Sequence, residues 1–172
     1  MAKLILADDL TSLARRLLAI AYEDIGLANP TIGPRVKAAV DAARELGNPE
    51  AMLPLSVIVI EMALSPKSNS AYLAIHSALD DIHNGKSGTL PIHLKNNYSF
   101  DPTQNAYLYP HDYPNAWVYQ QYLPEAIQDR KYYHPKNSSK MEIGLKERYE
   151  LIEKYKEIAI NEIKNKQKNH NL

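Results

Sequence analysis

The run AMLPLSVIVIEMAL at positions 51–64 is the feature that most limits how this chain can fold. It contains one proline and one acid among apolar residues, and it is shorter than the roughly 20 residues that a helix needs to cross a bilayer. The central β-branched residues would also suit a strand. No second run of comparable quality is present to pair with it. The sequence therefore predicts a helix that is enclosed by its neighbours.

Three other segments of the first half have helical periodicity. Residues 10–20 repeat leucine and isoleucine at helical spacing, after Asp8 and Asp9, which are suited to cap a helix. A second helix is expected from Pro34 to the Gly47-Asn48-Pro49 breaker. Another begins at a Ser68/Asn69 cap and ends at Gly85, and one face of it carries Tyr72, Ile75, Leu79 and Ile82.

Residues 86–138 have a different character, since six of the 11 prolines and ten of the 14 aromatic residues lie between positions 86 and 139. Long coil of this kind is typically packed by its own side chains or functional. Helical periodicity returns at about Ser139. We therefore predict a single, mainly α, bundle-like domain over residues 1–172. It would have compact helices in 1–85, ordered coil with short helices in 86–138, and a C-terminal helix over 139–168.

Charge and cysteine content exclude several classes of function. The chain has 20 basic and 20 acidic residues, which argues against a whole-domain electrostatic grip on nucleic acid or anionic lipid. It has no cysteine, which excludes disulfides, thiol nucleophiles and Cys-ligated zinc. The N-terminus lacks the apolar core of a signal peptide. We expect a cytoplasmic protein with no membrane partner.

The stretch YPHDYPNAWVYQQYLP at 109–124 holds the candidate site. A His111–Asp112 pair can serve metal or acid–base chemistry, but the sequence reveals no nucleophile to complete a triad. We therefore expect both side chains to bond backbone or a neighbouring subunit, with Tyr113 and Trp117 buried. The rings could alternatively stack single-stranded bases, with cations at the edges of the aromatic segment, although packing or a subunit interface is favoured.

Other candidate sites give less. Glu23 and Asp24 end a helix, where acids are unfavourable, so a lysine or arginine partner is expected. His76, Asp80 and His83 share a helix face, which we interpret as a solvated surface and not a metal site. The sequence has no G-x-x-x-x-G-K-[ST] or G-x-G-x-x-G motif. We predict no catalytic residue, metal or cofactor in this chain.

Five stretches in register resemble the C-terminal region of the replication-associated recombination protein A (RarA, or MgsA) family, bacterial relatives of the Werner helicase-interacting protein. They are IAYEDIGLANP (20–30), ALSPKSNSAYLAI (63–75), PIHL (91–94), YPHDYPNAWVYQQYLP (109–124) and DRKYYHP (129–135). Between the third and fourth of these, the family often carries a longer segment than the 14 residues at 95–108.

The resemblance implies a AAA+ ATPase related to clamp loaders, acting at stalled replication forks and DNA ends in the bacterial nucleoid. It implies that ATP and Mg²⁺ bind an N-terminal module that this chain lacks, so that Met1 is not the native start. The C-terminal region would be helical and mediate assembly into a homotetramer. The alternative is a docking module for single-stranded DNA or single-stranded DNA-binding protein. The structural and interface candidates are His111, Asp112, Tyr113, Trp117, Gln120, Gln121, Tyr122, Lys67, Asn69, Glu23 and Asp24.

Overall fold

The computed structural model describes residues 1–95 and 107–170, with side chains described as far as residue 162. The described residues form six α-helices and several short 3-10 turns, and they contain no strand. The α-helices are α1 (Ala2–Leu6), α2 (Leu10–Ile20), α3 (Ile32–Leu46), α4 (Met52–Leu64), α5 (Ser70–His83) and α6 (Lys140–His170). The predicted mainly α class is confirmed. None of the described helices is long and apolar enough to cross a bilayer.

The chain divides into two compact units. The first comprises Met1–His76 and Tyr132–Tyr149, and the second comprises Ser77–Lys131 and the chain from Glu150. Both α5 and α6 begin in the first unit and continue into the second.

The core of the first unit lies where α2, α3 and α4 meet. Asp9 starts α2, because its carboxylate accepts a hydrogen bond from the Ser12 N–H at 3.0 Å. The helical spacing seen in the sequence then turns one face of each helix inward. The buried apolar residues of these faces include Leu13, Leu17, Val36, Val40, Leu55, Ile58 and Met62.

Helix α4 departs from its prediction, because neighbours cover only one side of it. Leu55, Ile58 and Met62 are buried. The opposite side, which we call the open side of α4, carries four exposed apolar residues: Leu53 (59% exposed), Val57 (64%), Ile60 (61%) and Leu64 (81%). The expectation of an enclosed helix is therefore wrong within a single chain. A helix that is apolar on nearly every side is expected to be buried, but its composition does not tell whether the same chain or another molecule buries it.

The loop before α5 is fixed by a close backbone approach. Helix α2 continues as a π-helical turn, Ala21–Ile25, which ends at Gly26 with φ +47°. A Cβ at position 26 would lie 2.6 Å from the Ser68 carbonyl oxygen, so only glycine fits there. The Ser68 N–H in turn donates to the Asp24 carbonyl oxygen at 2.8 Å. These two constraints place Ser68 at the start of α5.

The apolar face predicted for α5 is also not its buried face. Ile75, Leu79 and Ile82 are exposed, whereas Ser70 and Asp81 are buried. Both polar residues have hydrogen-bond partners that compensate for their burial: Ser70 donates to Glu142, and Asp81 accepts from Arg130. Specific polar contacts have therefore overridden the hydrophobic pattern on this helix.

Replacing Leu55 by alanine should lower the free energy of unfolding by about 2–5 kcal/mol, because it leaves a cavity in a packed core. Leu6→Ala is the matched control, since Leu6 is almost fully exposed, and its effect should stay within about 0.5 kcal/mol. Urea unfolding followed by circular dichroism measures both. Equal losses in the two variants would contradict the assigned core.

Candidate interaction surface

His111 and Asp112 lie in a short 3-10 turn, Pro110–Asp112, and both are exposed. The His111 ring lies 5.1 Å from the Tyr109 ring, centroid to centroid. Among the residues that the structure describes, neither side chain has a hydrogen-bond partner. The predicted bond to backbone is therefore not found within the described residues, and a bond to a neighbouring subunit stays a prediction. Nor does any group of three His, Asp or Glu residues in the described part lie close enough to hold a metal.

The two rings expected to be buried behave differently. Tyr113 is exposed, so its predicted burial is wrong. Trp117 is half-buried, and its ring lies 5.9 Å from that of Tyr155 on α6. Tyr113 lies in extended backbone between two 3-10 turns, Pro110–Asp112 and Pro114–Ala116. The sequence shows that aromatic residues are concentrated in this stretch, but it did not predict which of their rings are buried.

Gln120 and Gln121 hold the extended segment that follows Trp117. The Gln120 side chain pairs with both backbone groups of Leu108, accepting from its N–H at 3.0 Å and donating to its carbonyl at 2.7 Å. It also donates to the Tyr122 hydroxyl at 2.9 Å. The Gln121 side chain accepts from the Leu123 N–H at 3.0 Å. The backbone carbonyl of Gln121 accepts from the His93 ring at 2.9 Å. Two amides thus replace the backbone pairing that this coil lacks.

A cleft of about 230 Å³ lies beside this segment in the second unit, and we call it the Trp117 cleft. Its lining combines aromatic and amide side chains with two cations. The residues that line it include Trp117, Tyr119, Tyr122, Arg130, Ile152 and Lys156. Lys156 is half-buried and has no ion-pair partner among the described side chains.

Lys67 and Asn69 both make hydrogen bonds within the first unit. The Lys67 ammonium donates to the carbonyls of Met62 at 2.7 Å and Ser65 at 2.8 Å, so it caps the C-terminal end of α4. Asn69 accepts a hydrogen bond from the Lys136 ammonium. Both residues therefore stabilise the turn that connects α4 to α5.

Glu23 and Asp24 are exposed on the π-helical turn. Within residues 1–95 and 107–162, neither carboxylate forms an ion pair, so the expected lysine or arginine partner is not found there. Only the backbone of Asp24 is engaged, through the hydrogen bond from Ser68.

The strongest polar cluster of the first unit was not found from the sequence. Glu142, on the first turn of α6, is fully buried, and its Oε1 atom accepts hydrogen bonds from the hydroxyls of Ser68 and Ser70, each at 2.7 Å. The Lys136 N–H also donates to it at 3.3 Å. Because Ser70 begins α5, the carboxylate lies at the positive end of that helix. The cluster ties the start of α6 to the start of α5.

One sequence signal could have pointed to Glu142. Ser139 and Glu142 have the spacing of a capping box, and the Ser139 hydroxyl does accept from the Glu142 N–H at 3.1 Å. The carboxylate, however, reaches Ser68 and Ser70, which are distant in sequence. Burial alone would raise the pKa of Glu142, but the hydrogen bonds from Ser68, Ser70 and the Lys136 backbone outweigh it and lower the pKa below its ordinary value.

A second buried acid organises the other unit. Asp81 on α5 forms a two-pronged ion pair with Arg130, whose Nε and Nη2 atoms donate to the two carboxylate oxygens at 2.5 and 3.0 Å. Arg130 belongs to the DRKYYHP stretch, so this ion pair fixes the end of the coil on α5.

Most of the sequence matches a known protein family. Residues 1–153 match the family model described as MgsA AAA+ ATPase C terminal. The chain belongs to the MgsA AAA+ ATPase C-terminal family. The resemblance inferred from the five sequence stretches is thereby confirmed.

Relatives of this MgsA-type chain occur in bacteria and in a eukaryote. It is 52% identical to replication-associated recombination protein A of Bacillus subtilis over 91% of its own length and 38% of the relative's. It is 35% identical to the Escherichia coli K12 protein of that name, covering 72% of this chain and 29% of the relative. It is 30% identical to ATPase WRNIP1 of Dictyostelium discoideum, covering 72% and 15%. The chain thus spans about a third of the length of its bacterial relatives.

Glu142→Gln should make this MgsA-type domain less stable at pH 7 by about 1 kcal/mol, because the hydroxyls of Ser68 and Ser70 would then donate to a neutral acceptor. The lowered pKa means that the carboxylate stabilises the fold above its ordinary pKa of 4.5 and that this contribution is lost as the pH falls through the folded-state value. The stability gap between wild type and variant should therefore narrow below pH 4.5. Urea unfolding at a series of pH values measures it.

Glu147→Gln serves as the control, because Glu147 is an exposed acid on the same helix. Its stability should follow that of the wild type across the series. A gap for Glu142→Gln that did not change with pH would rule out the assigned role of the carboxylate.

Proposed function

We propose that this chain is the oligomerisation domain of a AAA+ ATPase that acts in replication-associated recombination, and that it assembles as a homotetramer. The observation that carries the proposal is the open side of α4, where Leu53, Val57, Ile60 and Leu64 are all exposed. Membership of the MgsA family supplies the ATPase context.

The open side of α4 has nothing that favours contact with water. Its four apolar residues are contiguous along the helix, and patches of this kind mark interaction sites in proteins that are otherwise well packed. Glu61, the one charged residue of α4, is paired with Arg35 through hydrogen bonds of 3.0 and 2.7 Å. The surface is therefore close to neutral, as is the fully buried centre of a subunit interface, where charged residues are depleted.

A closed tetramer needs more than one contact surface. Two-fold contacts use the same patch on both subunits, and a tetramer with dihedral symmetry needs two such patches. Helix α6 offers a second candidate in Leu151, Tyr155 and Ile158, which recur at helical spacing and are exposed. This second patch supports a tetramer over a dimer.

We place the ATPase chemistry outside this chain. The sequence has neither the G-x-x-x-x-G-K-[ST] motif of a phosphate-binding loop nor a G-x-G-x-x-G motif. ATP and Mg²⁺ would then bind another part of the full-length protein, while this domain holds the copies together near replication-fork DNA.

Light scattering coupled to size exclusion should give a mass of about four times the chain mass of 19.5 kDa. Ile60→Asp should reduce this mass, because it places an unpaired carboxylate in the proposed contact. Leu6→Asp is the matched control, since it adds the same charge at an exposed leucine away from α4, and it should leave the mass unchanged. A wild type that stays monomeric at high micromolar concentration would rule out the proposed assembly.

The second candidate function is docking to single-stranded DNA or to single-stranded DNA-binding protein. The Trp117 cleft favours DNA, because rings beside a half-buried lysine offer a stacking surface and a phosphate contact. Its limited positive charge and the neutral charge of the whole chain make it the weaker candidate.

Fluorescence anisotropy with a labelled oligothymidylate tests this second function. Binding that weakens with added salt and with Trp117→Ala would support it. Tyr109→Ala, which removes an exposed ring that does not line the cleft, is the control and should bind as the wild type does. An absence of binding at high micromolar protein would exclude docking to single-stranded DNA for this chain.

A further inference from the structure

We propose that the open side of α4 pairs with α4 of a second copy of this chain, and that the two helices run antiparallel about a two-fold axis. The inference rests on the proposed oligomerisation and adds the contact, its direction and its register. Three features of the described residues lead to it: the spacing of the exposed residues, the charges at the ends of the helix and the chemistry of its flank.

The spacing is that of a coiled-coil seam. From Leu53 to Val57, Ile60 and Leu64 the steps are four, three and four residues. This is the alternation that keeps apolar residues facing one partner helix along a shared axis. A helix that rested on a flat or irregular partner would need no such regular alternation. The pattern therefore indicates another helix as the occupant.

The charges at the two ends indicate that this helix is α4 itself, running in the opposite direction. Glu50 precedes α4, is exposed and has no ion pair among the described residues. Lys67 follows α4, is exposed, and uses two of its three N–H groups on the carbonyls of Met62 and Ser65. In an antiparallel pair, Glu50 of each copy lies at the same end as Lys67 of the other. A parallel pair would bring like charges together.

The same register aligns the apolar residues by size. When Glu50 is opposite Lys67, Leu53 is opposite Leu64, and Val57 is opposite Ile60 of the second copy. Leucine thus meets leucine, and β-branched residues meet each other at the centre. The helix dipoles also run in opposite directions, which is the favourable arrangement for neighbouring helices.

The flank of the seam does not oppose the pairing. Glu61 lies beside it, and its carboxylate is already bound by Arg35. Two copies can therefore approach without bringing an uncompensated charge into the contact.

Disulfide trapping tests the direction and the register together. Because the chain has no cysteine, Leu53→Cys, Leu64→Cys and the double variant introduce the only thiols. In the antiparallel pair, residue 53 faces residue 64 of the other copy. Identical positions lie about 16 Å apart along the axis, from 11 residues at 1.5 Å each, which is too far for a disulfide. The same distance prevents a disulfide within one chain.

On mild oxidation, the double variant should shift on a non-reducing gel from 19.5 kDa to twice that mass, while both single variants stay at 19.5 kDa. Leu6→Cys, at an exposed position on α1, should also stay monomeric. Circular dichroism melts of each variant confirm that it folds before it is oxidised.

Each other outcome is decisive. Single variants that cross-link by themselves would overturn the antiparallel arrangement. A double variant that does not cross-link, while light scattering still finds an oligomer, would overturn the α4 contact and leave the proposed oligomerisation intact. A wild type that is monomeric by light scattering would overturn both.

Discussion

Helix α4 is apolar apart from Ser56 and Glu61, and the described part of the chain covers only one side of it. Its inner residues, Leu55, Ile58 and Met62, complete the core that α2 and α3 begin. Its outer residues repeat at coiled-coil spacing and face solvent. Removing the outer apolar residues would leave an ordinary amphipathic helix, so the core alone does not account for them. The proposed assembly accounts for these residues, because a second copy would cover the apolar surface that one copy leaves exposed.

Two buried carboxylates form contacts between segments that apolar packing does not hold together. Glu142 joins the beginnings of α5 and α6 in the first unit, and Asp81 holds Arg130 in the second. The Gln120 side chain pairs with the backbone of Leu108, which lies on the far side of the 109–119 segment. These contacts allow a proline-rich segment to adopt a defined path without a strand or a long helix. The aromatic stretch at 109–124 is thereby ordered, while several of its rings remain exposed.

Helices α2 to α6 could be predicted from the sequence because each depends on local information, whereas the short α1 was missed. Periodic leucines, the Asp9 cap and the break after Leu46 are all visible within a few residues. Which residues meet across the fold could not be predicted in this way. Glu142 and its serine partners are more than 70 residues apart, and ring density alone does not distinguish the exposed Tyr113 from the half-buried Trp117. The exposure of α4 was missed because apolar composition does not distinguish a neighbour within the chain from one outside it.

Thiol labelling at position 60 tests the central claim most directly. With Ile60→Cys as the only thiol, the maleimide labelling rate of the reduced protein, measured after the reductant has been removed, reports whether the open side of α4 is covered. The account predicts that labelling slows as the protein concentration rises, because association buries this position, while labelling of Leu6→Cys does not change. Equal, concentration-independent labelling at both positions would show that no second copy covers α4.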